Sequence, residues 1–141
     1  MKRALLAAVL ALGLAAPVLA QQSKVAVMHK AIGCGCCDGH AEHLRANGYT
    51  VRVVEVPDLD AIKKKHGVPE RFAGCHTIEV GGYLVEGHVP ASIIDKLLAE
   101  KPSIKGISLP GMPDGSPGMS GTKAAPFTVY DIGSGKVFAI E

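Results

Sequence analysis

The order of apolar and polar positions divides the chain into one unbroken apolar block followed by short segments of two periods. Residues 4–16 are almost wholly Leu, Ala and Val. Beyond them, Lys24–His29 (KVAVMH) alternates as a strand does, and Thr50–Val56 (TVRVVEV) is β-branched and strand-like. Between the two, Cys37–Asn47 reads as a helix closed by Gly48, which completes a βαβ unit. Asp58 is placed to cap a second helix running through Lys65 and ending at Gly67, and Val68-Pro69 prevents its continuation. Cys75–Val80 and Tyr83–His88 are strands around Gly81-Gly82, a two-residue hairpin signal. Pro90 opens a third helix with an apolar stripe of Ile93, Ile94, Leu97 and Leu98. Lys101–Ala125 shows no period, and Phe127–Ile132 and Lys136–Ile140 form a closing hairpin across Gly133-Ser134-Gly135.

This order, βαβ, helix, β-hairpin, helix, is that of an α/β thioredoxin-like domain, here extended by a Met-containing loop and a C-terminal β-hairpin. In such a domain the first strand-to-helix junction carries the reactive cysteines, and this chain places Cys34, Cys36 and Cys37 there. Fold alone does not set the activity.

The apolar block changes the redox setting. Lys2 and Arg3 precede it and Val18-Leu19-Ala20 follows it, the arrangement of a cleavable export signal over residues 1–20. The block is too short for a spanning helix, which needs roughly 20 residues. A mature chain of 21–141 is one small domain, exported to the periplasm and free of the membrane after cleavage. Of 15 basic and 13 acidic residues the leader removes two basic ones, so the remainder is balanced and nucleic acid is not an expected partner.

Four cysteines in an exported chain suggest two disulfides, but Cys34, Cys36 and Cys37 crowd into four positions and tie no distant segments together. Metal binding or thiol redox chemistry suits them better. At a helix N-terminus the dipole and free N–H groups favour thiolate, a better nucleophile and a better ligand. Cys34 and Cys37 have the C-x-x-C spacing common to redox and metal sites; the extra Cys36 suits bridging between soft ions more than a simple dithiol couple.

Hairpin register supplies a fourth sulfur. If Gly81-Gly82 is the turn, paired residues sum to 163, so Val80 faces Tyr83, Ile78 faces Val85 and Cys75 faces His88. Opposed side chains share a face about 5 Å apart, which brings Cys75 and His88 within reach of one ion. His76 falls on the other face with Ile78 and Val80 and is read as structural. His40 and His43 follow the cysteines at helical spacing; His43 is retained as a candidate ligand, and His40 is left open between ligand and surface. In the aperiodic tail, Pro-Gly-Met recurs at an interval of seven and sets Met112 and Met119 in matched frames.

Thiolate, imidazole and thioether together select soft ions, and Cu(I) suits methionine in an exported protein. Zinc, content with three Cys and one His, is the alternative if the methionines are packing. A metal-binding protein is favoured over an enzyme, with a thiol-disulfide or copper-coupled oxidoreductase acting through Cys34 and Cys37 as the competing reading and a zinc-stabilised module as the weaker one.

The motifs CGCC (34–37), EHL (42–44), GVP (67–69), CHT (75–77), GY (82–83), EGHVP (86–90) and PGMP…GSPGM (110–119) resemble the CopG-like family of periplasmic copper-resistance proteins, long catalogued as a domain of unknown function. The resemblance spans nearly the whole mature chain. It implies a thioredoxin-like fold and a cysteine-bridged cluster of several copper ions. The ligands it implies are Cys34, Cys36, Cys37 and Cys75, completed by His88, Met112 and Met119, with other periplasmic copper-handling proteins as partners. Two departures stand out: family members often carry Trp where His40 stands and Ser where Gly74 stands.

Overall fold

The computed structural model describes residues 24–141; the leader read at 1–20 lies outside the described residues. The described residues form a mixed α/β fold of three α-helices, one 3-10 turn and a seven-stranded sheet in the order β2-β1-β3-β4-β5-β6-β7. β1 (Val25–Ala31) pairs parallel with β2 (Thr50–Val56) across α1 (Gly35–Ala46), as the βαβ pattern requires. β3 (His76–Val80) lies antiparallel to β1 on its other side, and β4 (Tyr83–Glu86) follows through the two-glycine turn.

Local chemistry sets the element ends. The Asp58 carboxylate accepts the Ala61 N–H at 2.9 Å and starts α2 (Leu59–His66), and Gly67 closes it in the left-handed region at φ 61°. Pro90 stands at the N-cap of α3 (Ala91–Glu100). α1 begins two residues before the expected Cys37, with Cys34 as its N-cap.

Side-chain alternation sorts the layers. Ala26, Met28, Ile78, Val80 and Val85 face α1 and α3 and pack with Cys37, Ala41, Leu44, Ile94 and Leu97 into the main core. The opposite face meets α2, where Lys63 reaches Thr77 at 3.0 Å and Glu86 at 2.7 Å. Lys63 and Glu86 are both buried, and Glu86 also accepts hydrogen bonds from Thr77 and from the Gly74 N–H.

The expected structureless stretch of 101–125 contains a strand, β5 (Gly106–Ser108), parallel to β4 and antiparallel to β6 (Thr128–Asp131). Three residues are too few to show a period. Gly106 permits the pairing, since a Cβ there would stand 2.1 Å from the Leu84 carbonyl oxygen. β5 thereby joins the hairpin of β6 and β7 (Val137–Ile140) to the main sheet. No helix among the described residues is long and apolar enough to cross a membrane.

Candidate metal centre

The site forms where β1 hands over to α1 and where β3 and β4 reach their open ends. Gly33, at φ 76°, turns the chain after β1. Lys30, almost wholly buried, holds the turn: its Nζ lies 2.8 Å from Asp38, 3.1 Å from Glu55 and 3.4 Å from the Cys34 carbonyl oxygen. Cys34 and Cys37 are joined as a disulfide, while Cys36 and Cys75 are free. The four sulfurs form one group, all within 4.8 Å of one another. Cys75 Sγ lies 3.9 Å from Cys36 and 3.6 Å from Cys37, and Cys34 lies 3.6 Å from Cys36.

The 163 register holds through β3 and β4, from Val80–Tyr83 to Thr77–Glu86. Beyond the strands Gly74 and Gly87 approach so closely that a Cβ on Gly74 would stand 2.5 Å from the Gly87 Cα. Past this pinch Cys75 and His88 remain together, Sγ to Nε2 at 2.8 Å.

Three buried imidazoles, those of His40, His76 and His88, lie behind the sulfurs with ligand atoms within 4.8 Å of one another. Their hydrogen bonds assign the tautomers. His40 Nε2 faces the Val89 carbonyl oxygen at 2.9 Å, so it must donate, and its bare Nδ1 accepts from His76 Nε2 at 2.7 Å. His88 Nδ1 donates to the Pro117 carbonyl oxygen at 2.7 Å. Two lone pairs therefore aim at one sulfur: His76 Nδ1 at 3.3 Å and His88 Nε2 at 2.8 Å from Cys75 Sγ. A thiol has one proton and satisfies one of them; a cation among the three atoms would satisfy all.

Burial keeps this cluster uncharged. It pushes His40 down to about 3 and His76 well below the usual histidine range, and it lowers His88 as well. Burial, with Cys36 beside it, pushes the Cys75 thiol up to about 12. Cys75 belongs to a segment away from the helix N-terminus and takes its pKa from burial.

His76 lies on the core face, as its alternation with Ile78 and Val80 implies, yet that face leads into the site. The bend at Cys75, just outside the strand, brings its sulfur within 3.3 Å of His76 Nδ1, a contact that strand alternation alone does not give. His40, spaced three from Cys37 and four from Cys36, is buried here and orients His76. His43 stands one layer out: its Nε2 accepts the Ala91 N–H at 3.2 Å and caps α3, and its ring stacks on His40 at 6.1 Å. The methionine loop reaches the site through Pro117-Gly118, where a Cβ on Gly118 would stand 2.4 Å from the His40 backbone nitrogen and 2.5 Å from the Cys36 carbonyl oxygen. Met119 follows directly and is half-buried, whereas Met112 is exposed, with φ at 45°.

A family model described as "Protein of unknown function, DUF411" matches residues 72–119, which hold Cys75, His76, His88 and both loop methionines. No curated protein sequence matches the chain. Two solved structures do. One, "Copper resistance protein copG- Form 2", is 40% identical, with a TM-score of 0.75 over 83% of this chain and 97% of that one. The other, "Copper resistance protein copG- Form 1", is 39% identical, with a TM-score of 0.76 over 83% of this chain and 96% of that one. On that identity and coverage, the chain belongs to the CopG-like family of DUF411 proteins.

Proposed function

We propose that this is an exported copper-binding protein that sequesters or handles Cu(I) and contributes to copper resistance. The single observation that carries the reading is the convergence of two imidazole lone pairs on the Cys75 sulfur inside a group of four sulfurs. Soft sulfur with imidazole suits Cu(I). Once an external thiol reductant opens the Cys34–Cys37 disulfide, the thiolates of Cys34, Cys36, Cys37 and Cys75 bridge the ions, His76 and His88 complete the inner side, and Met119 with Met112 caps the loop side. Ligand sulfur must be deprotonated, so copper uptake releases protons and weakens in acid. The leader, cleaved after residue 20, would deliver residues 21–141 to the periplasm as a single domain. The β2-β1-β3-β4 half, with α1 and α3 on one face and α2 on the other, supports a thioredoxin-like reading of that domain.

The test is a Cu(I) titration of the reduced mature chain against a competing chelator, with copper counted per chain. More than one tightly held ion supports the cluster, and failure to compete removes the proposal. Cys36→Ser should cripple multi-copper binding and spare a Cys34/Cys37 couple. The bonded Cys34–Cys37 pair favours one second reading, a thiol-disulfide or copper-coupled oxidoreductase. Rapid metal-free turnover of a disulfide substrate, abolished by Cys34→Ser, would favour that reading over storage.

A further inference from the structure

Lys63 and Glu86 form a buried ion pair on the α2 side of the sheet, and neither belongs to the candidate ligands. Three groups bind the Glu86 carboxylate, which has no exposed surface: Lys63 Nζ at 2.7 Å, the Gly74 N–H at 2.9 Å and the Thr77 hydroxyl. Lys63 Nζ also donates to Thr77 Oγ1 at 3.0 Å. Replacing a buried ion pair by apolar side chains is often neutral or even favourable for stability. Stability alone is thus a poor reason for this pair, and its hold on Gly74 supplies a better one.

Gly74 directly precedes Cys75. The 163 register continues past β3 and β4, with the Gly87 N–H donating to the His76 carbonyl oxygen at 3.2 Å. Hydrogen-bonded pairs of an antiparallel ladder recur at every second residue, so the next acceptor due to the Gly74 N–H is the Val89 carbonyl oxygen. That oxygen faces His40 Nε2 at 2.9 Å instead. Glu86 takes its place: the carboxylate receives the Gly74 N–H from the α2 side, and the chain turns in at Cys75 with its sulfur 2.8 Å from His88 Nε2. Lys63 supplies the countercharge that a fully buried carboxylate requires.

We propose that Lys63 and Glu86 are positioning residues of the metal centre, a strut that acts through the Gly74 N–H to hold Cys75 against His88. The proposal rests on the Cu(I) reading of that centre and adds to it two residues that touch no ion. Without the strut the Gly74 N–H loses its acceptor, the turn at Cys75 relaxes, and an ion shared by Cys75 and His88 loses both partners together. Second-shell contacts of this kind fix where a ligand atom stands before the ion arrives.

The experiment compares the unmodified chain with two double variants, Lys63→Met with Glu86→Leu and Lys63→Met with Glu86→Gln. The glutamine keeps a neutral acceptor for Gly74, and the leucine removes it. With the Cys34–Cys37 disulfide closed and no metal present, Cys36 and Cys75 are the free thiols, and iodoacetamide followed by peptide mass spectrometry reads the alkylation rate of each. The leucine chain should alkylate Cys75 at least tenfold faster relative to Cys36. After reduction it should bind Cu(I) at least tenfold more weakly in chelator competition, and the glutamine chain should recover most of both changes. Leu98→Ala, a core change under Gly81 at the far end of the hairpin, lowers stability and should move neither reading. An alkylation ratio that is equal in the unmodified and leucine chains would overturn the proposal, as would a shift of the same size in Leu98→Ala. This ratio needs no copper, so failure of the unmodified chain to take up Cu(I) removes the binding reading and leaves the strut to be decided by alkylation. Should the double variants not fold, hydrogen exchange in the unmodified chain decides. The Gly74 amide, outside any strand, should be protected as well as the amides of β3, and rapid exchange there refutes the strut.

Discussion

Acid should destabilise the metal-free protein well above the carboxylate range, because three imidazoles are buried neutral. His40 is the cleanest case, with its pKa lowered by burial from 6.5 to about 3. Above pH 6.5 neither the folded nor the unfolded chain protonates it, and the fold keeps its full stability. As pH falls below 6.5 the unfolded chain takes up a proton that the folded one refuses, so stability drains away until the folded value near 3 is reached. One such histidine costs the fold about 2 kcal/mol between pH 8 and pH 5. His76 and His88 shift in the same direction, also by burial first, and add to the loss by less than a full share each because the rings contact one another. Urea unfolding at pH 8 and pH 5 reads this directly. With a slope of roughly 1–3 kcal/mol per molar, the midpoint should fall by about 1 M or more. Stopping at pH 5 keeps ordinary carboxylates out of the difference. His40→Phe should flatten the profile by about one histidine's worth, whatever it does to stability at pH 8. A midpoint that does not move between pH 8 and pH 5, or that moves equally in the His40→Phe chain, would refute the reasoning.

Four further outcomes follow from the structure. Gly118→Ala puts a methyl group against His40 and Cys36 at φ 86°, so it should lift the loop, break the Pro117–His88 hydrogen bond and weaken Cu(I) binding at least tenfold in chelator competition. Gly111→Ala has the same sign of φ and no atom within 4 Å, so it should cost only the backbone strain, about 1–2 kcal/mol. Lys63→Met leaves the Glu86 carboxylate buried without its cation and should cost about 3–5 kcal/mol in thermal or urea unfolding, while Lys63→Met with Glu86→Leu should recover a large part of it. Met112→Leu with Met119→Leu should weaken Cu(I) binding and leave Zn(II) binding nearly intact, as measured by competition with each ion.

Local rules made most of the fold readable. Asp58 and Gly67 bound α2 because a side-chain cap and a left-handed residue act within a few positions, and the two-glycine turn fixed the β3–β4 register without any tertiary information. β5 and the 3-10 turn at Glu70–Phe72 were not readable: each is three residues long, and β5 exists because Gly106 lets it lie against Leu84. The same division holds at the site. The three clustered cysteines, Cys75 and His88 follow from spacing and register. The inward course of His76 and Cys75 together does not, because it depends on a bend outside the strand and on the contact between Gly74 and Gly87. His43 has helical spacing to the cysteines, but its nitrogen lies nearer the start of α3, a contact 48 residues distant in sequence.

Adjacent Cys36 and Cys37 look in different directions, one partly toward solvent and one fully into the core, and all three imidazoles are sealed from water. Solvent therefore touches this centre through sulfur alone. A small thiol reagent or a competing chelator meets the outer sulfurs first and the nitrogens last. Exchange of a bound ion would then proceed in two kinetic phases, a quick one at the rim and a slow one that waits for the Pro117-Gly118 segment to part.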